Sequence, residues 1–301
     1  MTNSDYEAQR ADALTRARVL AEALPWINSM SGKTIVVKYG GSAMEDPELR
    51  EAVISDLVLM KLIGMRLVIV HGGGKAISSL MSRLELPVEF KDGMRVTSEE
   101  AMEAVQMALI GKVNQELVRS MNAYGDYAVG LSGSDGCLLK AKQISPELGR
   151  VGRVSHVGTQ LIESLLDDGY IPLIAGVATD ENGPLNVNAD LVASEIARSL
   201  KADRLAFLTD VDGLYRDFND KSTLISRLSL AETRELLASG TLSSGMIPKI
   251  TASAEAIESG VGGVHILNGT FPHSLLLEIF TDLGVGTMIS YDGIAYGPSH
   301  S

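Results

Sequence analysis

Two short stretches, TIVVKYGG at 34–41 and RLVIVHGGG at 66–74, constrain the fold more than any other part of this chain. Each is a run of apolar, mostly β-branched residues that ends in glycines and passes into a segment with helical spacing. Strands that are apolar on both faces are buried on both faces. Alternating with helices, they imply a parallel sheet with helices on each side. The segments PELREAVISDLVLMKLIG and KAISSLMSRL supply the first of these helices, and VEFKDGMRVT reads as a hairpin-like excursion. A long helix follows from Thr97 or Ser98 through SEEAMEAVQMALIGKVNQELVRSMNAYG, with acidic residues in its first turn. Shorter strands around glycine turns, the helix TQLIESLLDDGY and the single strand IPLIAGVA lead to the polar turn TDENGP. A second strand–helix series then begins. The predicted architecture is therefore α/β, with a mostly parallel central sheet sandwiched by helices. It is divided into lobes at 31–182 and 183–301, behind an appended amphipathic helix in 1–30 that Pro25 is expected to end.

With 301 residues the chain can bury the core of a large domain or two lobes. Its 38 acidic against 26 basic residues give a net charge of −12, which argues against nucleic acid or an anionic membrane as partner. Phosphate, if bound, must be held locally by a few lysines and backbone N–H groups. The single cysteine, Cys137, excludes an internal disulfide and a cysteine metal cluster, and it fits a reducing compartment. Histidines 71, 156, 265, 273 and 300 show no close metal-binding spacing, so no protein-held metal is expected. The first residues lack the uncharged core of a signal peptide, and no apolar run approaches the ~20 residues that span a bilayer. The expected location is cytoplasmic.

The standard nucleotide fingerprints fail. GKT at 32–34 has Ile27 where a P-loop needs its first glycine, and it enters a strand; HGGGK is followed by Ala76. No G-x-G-x-x-G follows a strand, and there is no H-R-D or D-F-G set.

Four stretches carry chemistry instead. Lys38 closes a strand before Gly40 and Gly41, where a missing Cβ lets a phosphate approach backbone N–H groups. Gly72, Gly73 and Gly74 join a buried strand to a helix start, a natural anion site, while His71 reads as a packed residue. Arg95 offers a planar fork to a carboxylate, although an arginine in a hairpin is usually solvated. In LNVNAD, Asn186, Asn188 and Asp190 alternate toward one cleft, and Asp190 alternatively serves as a helix N-cap. Lys249 of GMIPK enters another helix start, so lysines from opposite halves of the chain have an aspartate available between them.

These stretches, together with FLTDVDGLY and LLLEIFTDLGVGT, resemble the amino-acid kinase family over nearly the whole chain. The likeness is to its arginine-sensitive branch acting on N-acetyl-L-glutamate. The resemblance implies that the first lobe holds the acyl substrate, with Gly73, Gly74, Arg95 and Asn186 or Asn188 in contact with it. The second lobe would bind ATP, with Mg2+ carried by the nucleotide. Gly40 and Gly41 would face phosphate, Lys38 and Lys249 would stabilise the phosphoryl group in transfer, and Asp190 would orient both lysines. It further implies that His265, Glu278 and Gly284 bind L-arginine as an inhibitor, and that the first helix links dimers into a hexamer. Lys75, where relatives commonly have proline, departs from the pattern. Kinases of aspartate, glutamate or carbamate, and a non-catalytic arginine sensor, are the competing readings.

Overall fold

The computed structural model describes residues 3–91, 93–217, 220–240, 242, 245–281 and 284–294; in the first helix it describes the side chains of residues 7, 10, 13, 14, 17, 18 and 21–30. Residues 1–2 of the expected first segment and 295–301 of the last, His300 among them, lie outside the described residues. Helix α1 (Asn3–Met30) leads into β1 (Thr34–Tyr39), a 3-10 turn (Gly41–Met44), α2 (Pro47–Leu62), β2 (Arg66–His71) and α3 (Gly74–Arg83). The hairpin β3 (Phe90–Lys91) and β4 (Met94–Arg95) precedes a continuous helical run: α4 (Glu99–Gln106), a π-helical segment (Met107–Asn114) and α5 (Gln115–Asn122). Then come β5 (Ala128–Leu131), β6 (Leu139–Gln143), β7 (Val151–Val157), α6 (Thr159–Asp167), β8 (Ile171–Ala175), β9 (Val177–Asp180) and β10 (Gly183–Val187). Helix α7 (Ala189–Leu200), β11 (Arg204–Thr209), β12 (Arg227–Ser229), α8 (Leu230–Ser239), α9 (Ile247–Glu258), β13 (Val264–Asn268), α10 (Ser274–Phe280) and β14 (Thr287–Ser290) complete the chain.

Eight strands form the central sheet in the order β12-β14-β13-β11-β1-β2-β8-β5. Every neighbouring pair in it is parallel except β13 with β14, so the mostly parallel sheet expected from the apolar runs is present. Alternation along β1 sorts its side chains. Ile35, Val37 and Tyr39 join a core with residues of α2, α5 and α10, while Val36 joins the core with residues of α6, α7 and α9. Lys38 shares the face of Val36, and that face carries α7 and α9.

Two expectations need correction. Pro25 does not end α1, which continues through it to Met30. An interior proline removes one hydrogen bond and crowds the preceding turn, at a cost of about 3 kcal/mol. The end of this helix is held by tertiary contacts that override that cost: Met30 is buried, and Gly32 N–H donates to Gly64 C=O at 2.8 Å. IPLIAGVA is not one strand, because the chain breaks at Gly176, where a Cβ would lie 2.7 Å from Val187 O. There it leaves the main sheet for a small closed barrel, β10-β7-β6-β9. The turn in TDENGP joins β9 to β10 as an antiparallel hairpin of that barrel. Of the two candidate caps for the long helix, Ser98 is the one used, accepting from Ala101 N–H at 3.1 Å.

Candidate active site

The carboxyl ends of β1, β2 and β11 lie side by side, with Lys38 in register with both Val70 and Phe207. The loops leaving parallel strands at such an edge converge on one crevice. A cleft of about 950 Å3 opens there, lined by Lys38, both glycine loops, Arg95, Asn186, Asn188, Asp190 and Asp210.

Asp190 sits in the first turn of α7, and its two carboxylate oxygens meet two ammonium groups. Lys38 Nζ lies 3.0 Å from Oδ1 and Lys249 Nζ lies 2.5 Å from Oδ2. Lys249 reaches this point from the first turn of α9, which Pro248 starts, and its ammonium stands 4.9 Å above the Phe207 ring. Burial alone would raise the pKa of Asp190, but Lys38 and Lys249 outweigh it and hold the carboxyl below its ordinary range. For Lys249 the balance falls the other way: burial, with help from Lys38, outweighs Asp190 and lowers its pKa. Asp190 is not the N-cap of α7. Asn188 is, its side chain accepting from Asp190 N–H at 2.8 Å and from Leu191 N–H at 3.4 Å. That leaves the Asp190 carboxylate to the lysines.

The glycines serve a purpose beyond the one read from sequence. A Cβ at Gly40 would lie 2.8 Å from Lys38 Nζ, and one at Gly41 (φ +76°) would lie 2.6 Å from Asp210 Oδ1. Both make room for the protein's own charged groups. Gly73 caps α3 and must be small because Leu109 of the π segment would be 2.7 Å from its Cβ; Gly74 faces open space. Asp210 was not singled out by sequence. It follows β11, and its Oδ1 accepts from Ser42 N–H at 3.0 Å and from Ser42 Oγ at 2.5 Å, which clamps the Gly40–Gly41 loop. Its position one residue past the apolar strand β11 was the available signal. The departure Lys75 pairs with Glu45, joining the two glycine loops.

Arg95 is buried, not solvated. Its Nη2 donates to Gly74 O at 2.9 Å and Ser78 Oγ at 2.7 Å, Nη1 to Met81 Sδ at 3.6 Å, and the guanidinium packs 4.7 Å from the Phe90 ring. Burial lowers its pKa, though an arginine remains charged. Asn186 Nδ2 donates to Thr97 Oγ1 at 3.2 Å, and Thr97 Oγ1 donates to Arg95 O at 2.9 Å, so the asparagine and the arginine are tied together.

His265, Glu278 and Gly284 also come together, but outside this cleft. His265 pairs in register with Ala206, on the sheet face opposite Phe207 and Lys38. Its Nδ1 lies 2.8 Å from Glu278 Oε1, and Glu278 Oε2 accepts from Val285 and Gly286 N–H at 2.8 and 3.1 Å. Burial would raise the Glu278 pKa; His265 and the two amides together hold it below the usual carboxylate range. A Cβ at Gly284 would lie 3.3 Å from Glu278 Oε2. Glu278 is thus no solvated helix residue. No group of three His, Cys, Asp or Glu side chains that could hold a metal occurs among the described residues. No helix among them is long and apolar enough to cross a membrane.

The sequence profile of the amino acid kinase family matches residues 33–268, and the chain belongs to that family. More particularly, the acetylglutamate kinase of Nostoc punctiforme is 47% identical over 96% of this chain and 98% of its own length. The acetylglutamate kinase of Caldanaerobacter subterraneus is 50% identical over 92% of this chain and 94% of its own. Among solved structures, N-acetylglutamate synthase from Neisseria gonorrhoeae complexed with coenzyme A and L-arginine superposes with a TM-score of 0.76 at 26% identity, covering 92% of this chain and 65% of that one. The chain is an enzyme, a kinase of the α/β fold described above.

Proposed function

We propose that this enzyme transfers the γ-phosphoryl group of ATP to the side-chain carboxylate of N-acetyl-L-glutamate, giving N-acetyl-L-glutamyl 5-phosphate, an early step of arginine biosynthesis. The observation that carries this reading is one aspartate gripping two lysines from distant parts of the chain, beside a cleft that also holds a buried arginine. The near full-length likeness to acetylglutamate kinases supports the choice of acceptor.

The nucleophile is a carboxylate with an ordinary pKa of about 4.3, so it is ionised at neutral pH and needs no general base. The bond between the γ-phosphorus and the bridging oxygen breaks, a bond from that phosphorus to the carboxylate oxygen forms, and ADP leaves with the electron pair. The obstacle is repulsion between anions and the charge spread over the phosphoryl oxygens in flight. Lys38 serves the attacking side, Lys249 the leaving side, and Asp190 keeps the two ammonium groups apart and aimed. The N–H groups of the glycine loops add fixed dipoles. Mg2+, when it arrives with ATP, supplies further charge on the phosphates. Asp190 is taken by two lysines and Asp210 Oδ1 by Ser42, which fits an ion held by phosphates and water and not by a protein cage.

At the acyl end, Arg95 retains N–H groups for the α-carboxylate after those it gives to Gly74, Ser78 and Met81. Asn186, whose amide donates to Thr97, keeps its oxygen for the acetamido N–H. Asn188, whose oxygen caps α7, keeps its NH2 for the acetyl carbonyl. Residues 31–182 are proposed to hold mainly acyl substrate and 183–301 mainly nucleotide, with Asn186 and Asn188 reaching from the second segment to the acyl group. The His265–Glu278–Gly284 group is proposed to bind L-arginine as inhibitor; the arginine named in the synthase complex supports this.

The test is turnover of ATP with N-acetylglutamate against free glutamate, aspartate and carbamate. Lys38→Ala and Lys249→Ala each reduce kcat by at least ~100-fold, the scale of losing a preorganised charge donor. Near-parental turnover in either folded variant, or preference for an unacetylated acceptor, refutes the assignment.

A further inference from the structure

The buried end of β2 holds a polar chain that the proposed reaction does not use. His71 is fully buried between the sheet and the π segment, with Nδ1 2.9 Å from Gly72 O and Nε2 2.9 Å from Asn114 Nδ2. Asn114, the last residue of the π segment, also places Nδ2 2.8 Å from Leu173 O in the neighbouring strand β8. A π-helical turn inside an α-helical run recurs at functional sites, because it re-aims one side chain without ending the helix. Here the side chain it aims is Asn114. The chain elsewhere keeps room for it: a Cβ at Gly130 of β5 would lie 2.0 Å from Asn114 Oδ1.

The proton positions follow from the two ends of this chain. Leu173 C=O can only accept, so the Asn114 atom facing it is the NH2 group. The second hydrogen of that NH2 points at His71 Nε2, which must therefore be the bare, accepting nitrogen. The proton of the imidazole then sits on Nδ1 and is donated to Gly72 C=O, again an acceptor only. Burial pushes the His71 pKa down to about 4, in keeping with a neutral ring. A trans peptide carries its C=O and N–H on opposite sides. With the Gly72 carbonyl drawn back onto His71, the N–H of Gly73 is turned the other way. Among the described residues Gly73 N–H has no partner, and Gly72, Gly73 and Gly74 line the cleft.

We propose that Asn114 and His71 are positioning residues: they lock the Gly72–Gly73 peptide with the Gly73 N–H directed at the acyl substrate. His71 lines the cleft with the three glycines, but its imidazole, with both nitrogens engaged, exchanges no proton with substrate. Its task is to hold one peptide plane, from Leu173 through Asn114 and His71 to Gly72. This rests on the proposed function in taking the glycine loop as part of the acyl site, and it adds a reason for the buried histidine before three glycines.

The test compares isosteric variants. The amide of His71→Asn places an NH2 near the position of Nδ1 and can still hold Gly72 O, whereas His71→Gln places it near Nε2 and cannot. Folding of both is checked by thermal melting and circular dichroism. His71→Gln is expected to raise KM for N-acetylglutamate about tenfold, with KM for ATP and kcat within threefold of the parent. His71→Asn is expected to stay within threefold in all three. Equal impairment of both folded variants, or a loss confined to kcat, overturns the positioning role. A readout independent of activity is the 15N NMR signature of His71 at pH 7.5 in the whole protein. An Nδ1–H tautomer supports the proposal and an Nε2–H tautomer or an imidazolium overturns it. If the parent fails to phosphorylate N-acetylglutamate while the Nδ1–H tautomer is seen and is lost in Asn114→Leu, the assignment of substrate has failed and the lock stands.

Discussion

Asp190 binds two cations with one carboxylate, so this trio of side chains carries one net positive charge before any phosphate arrives. The Lys38 charge repels that of Lys249, and Asp190, in contact with both, is what offsets this. Asp190→Asn should therefore cost about 3 kcal/mol of stability at neutral pH, the lower end for a severed buried ion pair. Because the folded-state pKa of Asp190 is depressed, its contribution is complete above the ordinary aspartate pKa of ~3.9 and is lost as pH falls through the folded value. Denaturant melts of parent and variant should then differ by a constant amount above about pH 5 and converge in acid; a gap independent of pH down to unfolding would contradict the linkage. The alkaline side tests Lys249. Its lowered pKa puts loss of its charge below the ~10.4 of an ordinary lysine, so kcat/KM should fall on a limb centred below that value. Asp190 raises the Lys249 pKa, so the limb should move lower still in Asp190→Asn. A limb unmoved by the substitution would assign it to another group. Lys38, Asp190, Lys249 and Arg95 stood out in the sequence by their places beside glycine turns and helix starts, but their roles came from the resemblance to the amino-acid kinase family, since an aspartate at a helix start is usually a cap and an arginine in a hairpin is usually solvated. Asp210 did not stand out, since an aspartate after a strand also suits an ordinary turn, and only the adjacency of β11 to β1 gives it Ser42 as a partner.

Helix α7 shows how an element aims a site. Its cap is Asn188, and the next turn delivers Asp190 between the lysines. Asn188→Ala removes that cap and should lower stability by about 1 kcal/mol, whereas Asn188→Asp or Asn188→Ser should retain most of it because both still accept from the first N–H groups. Thermal melts of the three variants give the order; equal losses in all three would mean that the cap contributes little. If Asn188 also donates to the acetyl carbonyl, Asn188→Asp will keep stability but raise KM for N-acetylglutamate, which separates the two jobs of one side chain. At this scale the apolar runs β1, β2, β8 and β11 could be read directly, because burial on both faces leaves no competing pattern. The β10-β7-β6-β9 barrel could not. Its strands are mixed in polarity, and its entry is a single close approach of Gly176 to Val187 O that no spacing encodes. The continuation of α1 through Pro25 escaped for a related reason: local propensity was overridden by contacts from Met30 and Gly32 to residues far along the chain.

Across the whole molecule, the two proposed sites lie on opposite faces of one sheet, with the lysines under α7 and α9 and the His265–Glu278 pair among residues packed with α2 and α10. Helix α1 packs against α10, the element that carries Glu278, so the appended helix and the proposed effector site are neighbours. At 28 residues, α1 is about 42 Å long by the 1.5 Å rise per residue, and Leu14 and Leu24 on it are 60% and 56% exposed. Exposed leucines on a long helix would suit contact with a second copy of the chain, the self-association that the family resemblance implies. Arginine at Glu278 would have to compete with His265 and two backbone amides for the carboxylate, and displacing them would disturb α10 and the base of α1 together. If α1 joins dimers into the hexamer that the family resemblance implies, removal of residues 1–24 should leave a dimer by light scattering. Uninhibited turnover should stay within about twofold, since the cleft lining begins at Lys38. The same truncation should weaken inhibition by millimolar arginine at least tenfold, and Glu278→Gln should abolish it while leaving the assembly intact. A truncated protein of unchanged mass would remove α1 from the interface. Full inhibition of a truncated dimer would leave the effector site uncoupled from assembly, with arginine acting on the cleft through the sheet alone.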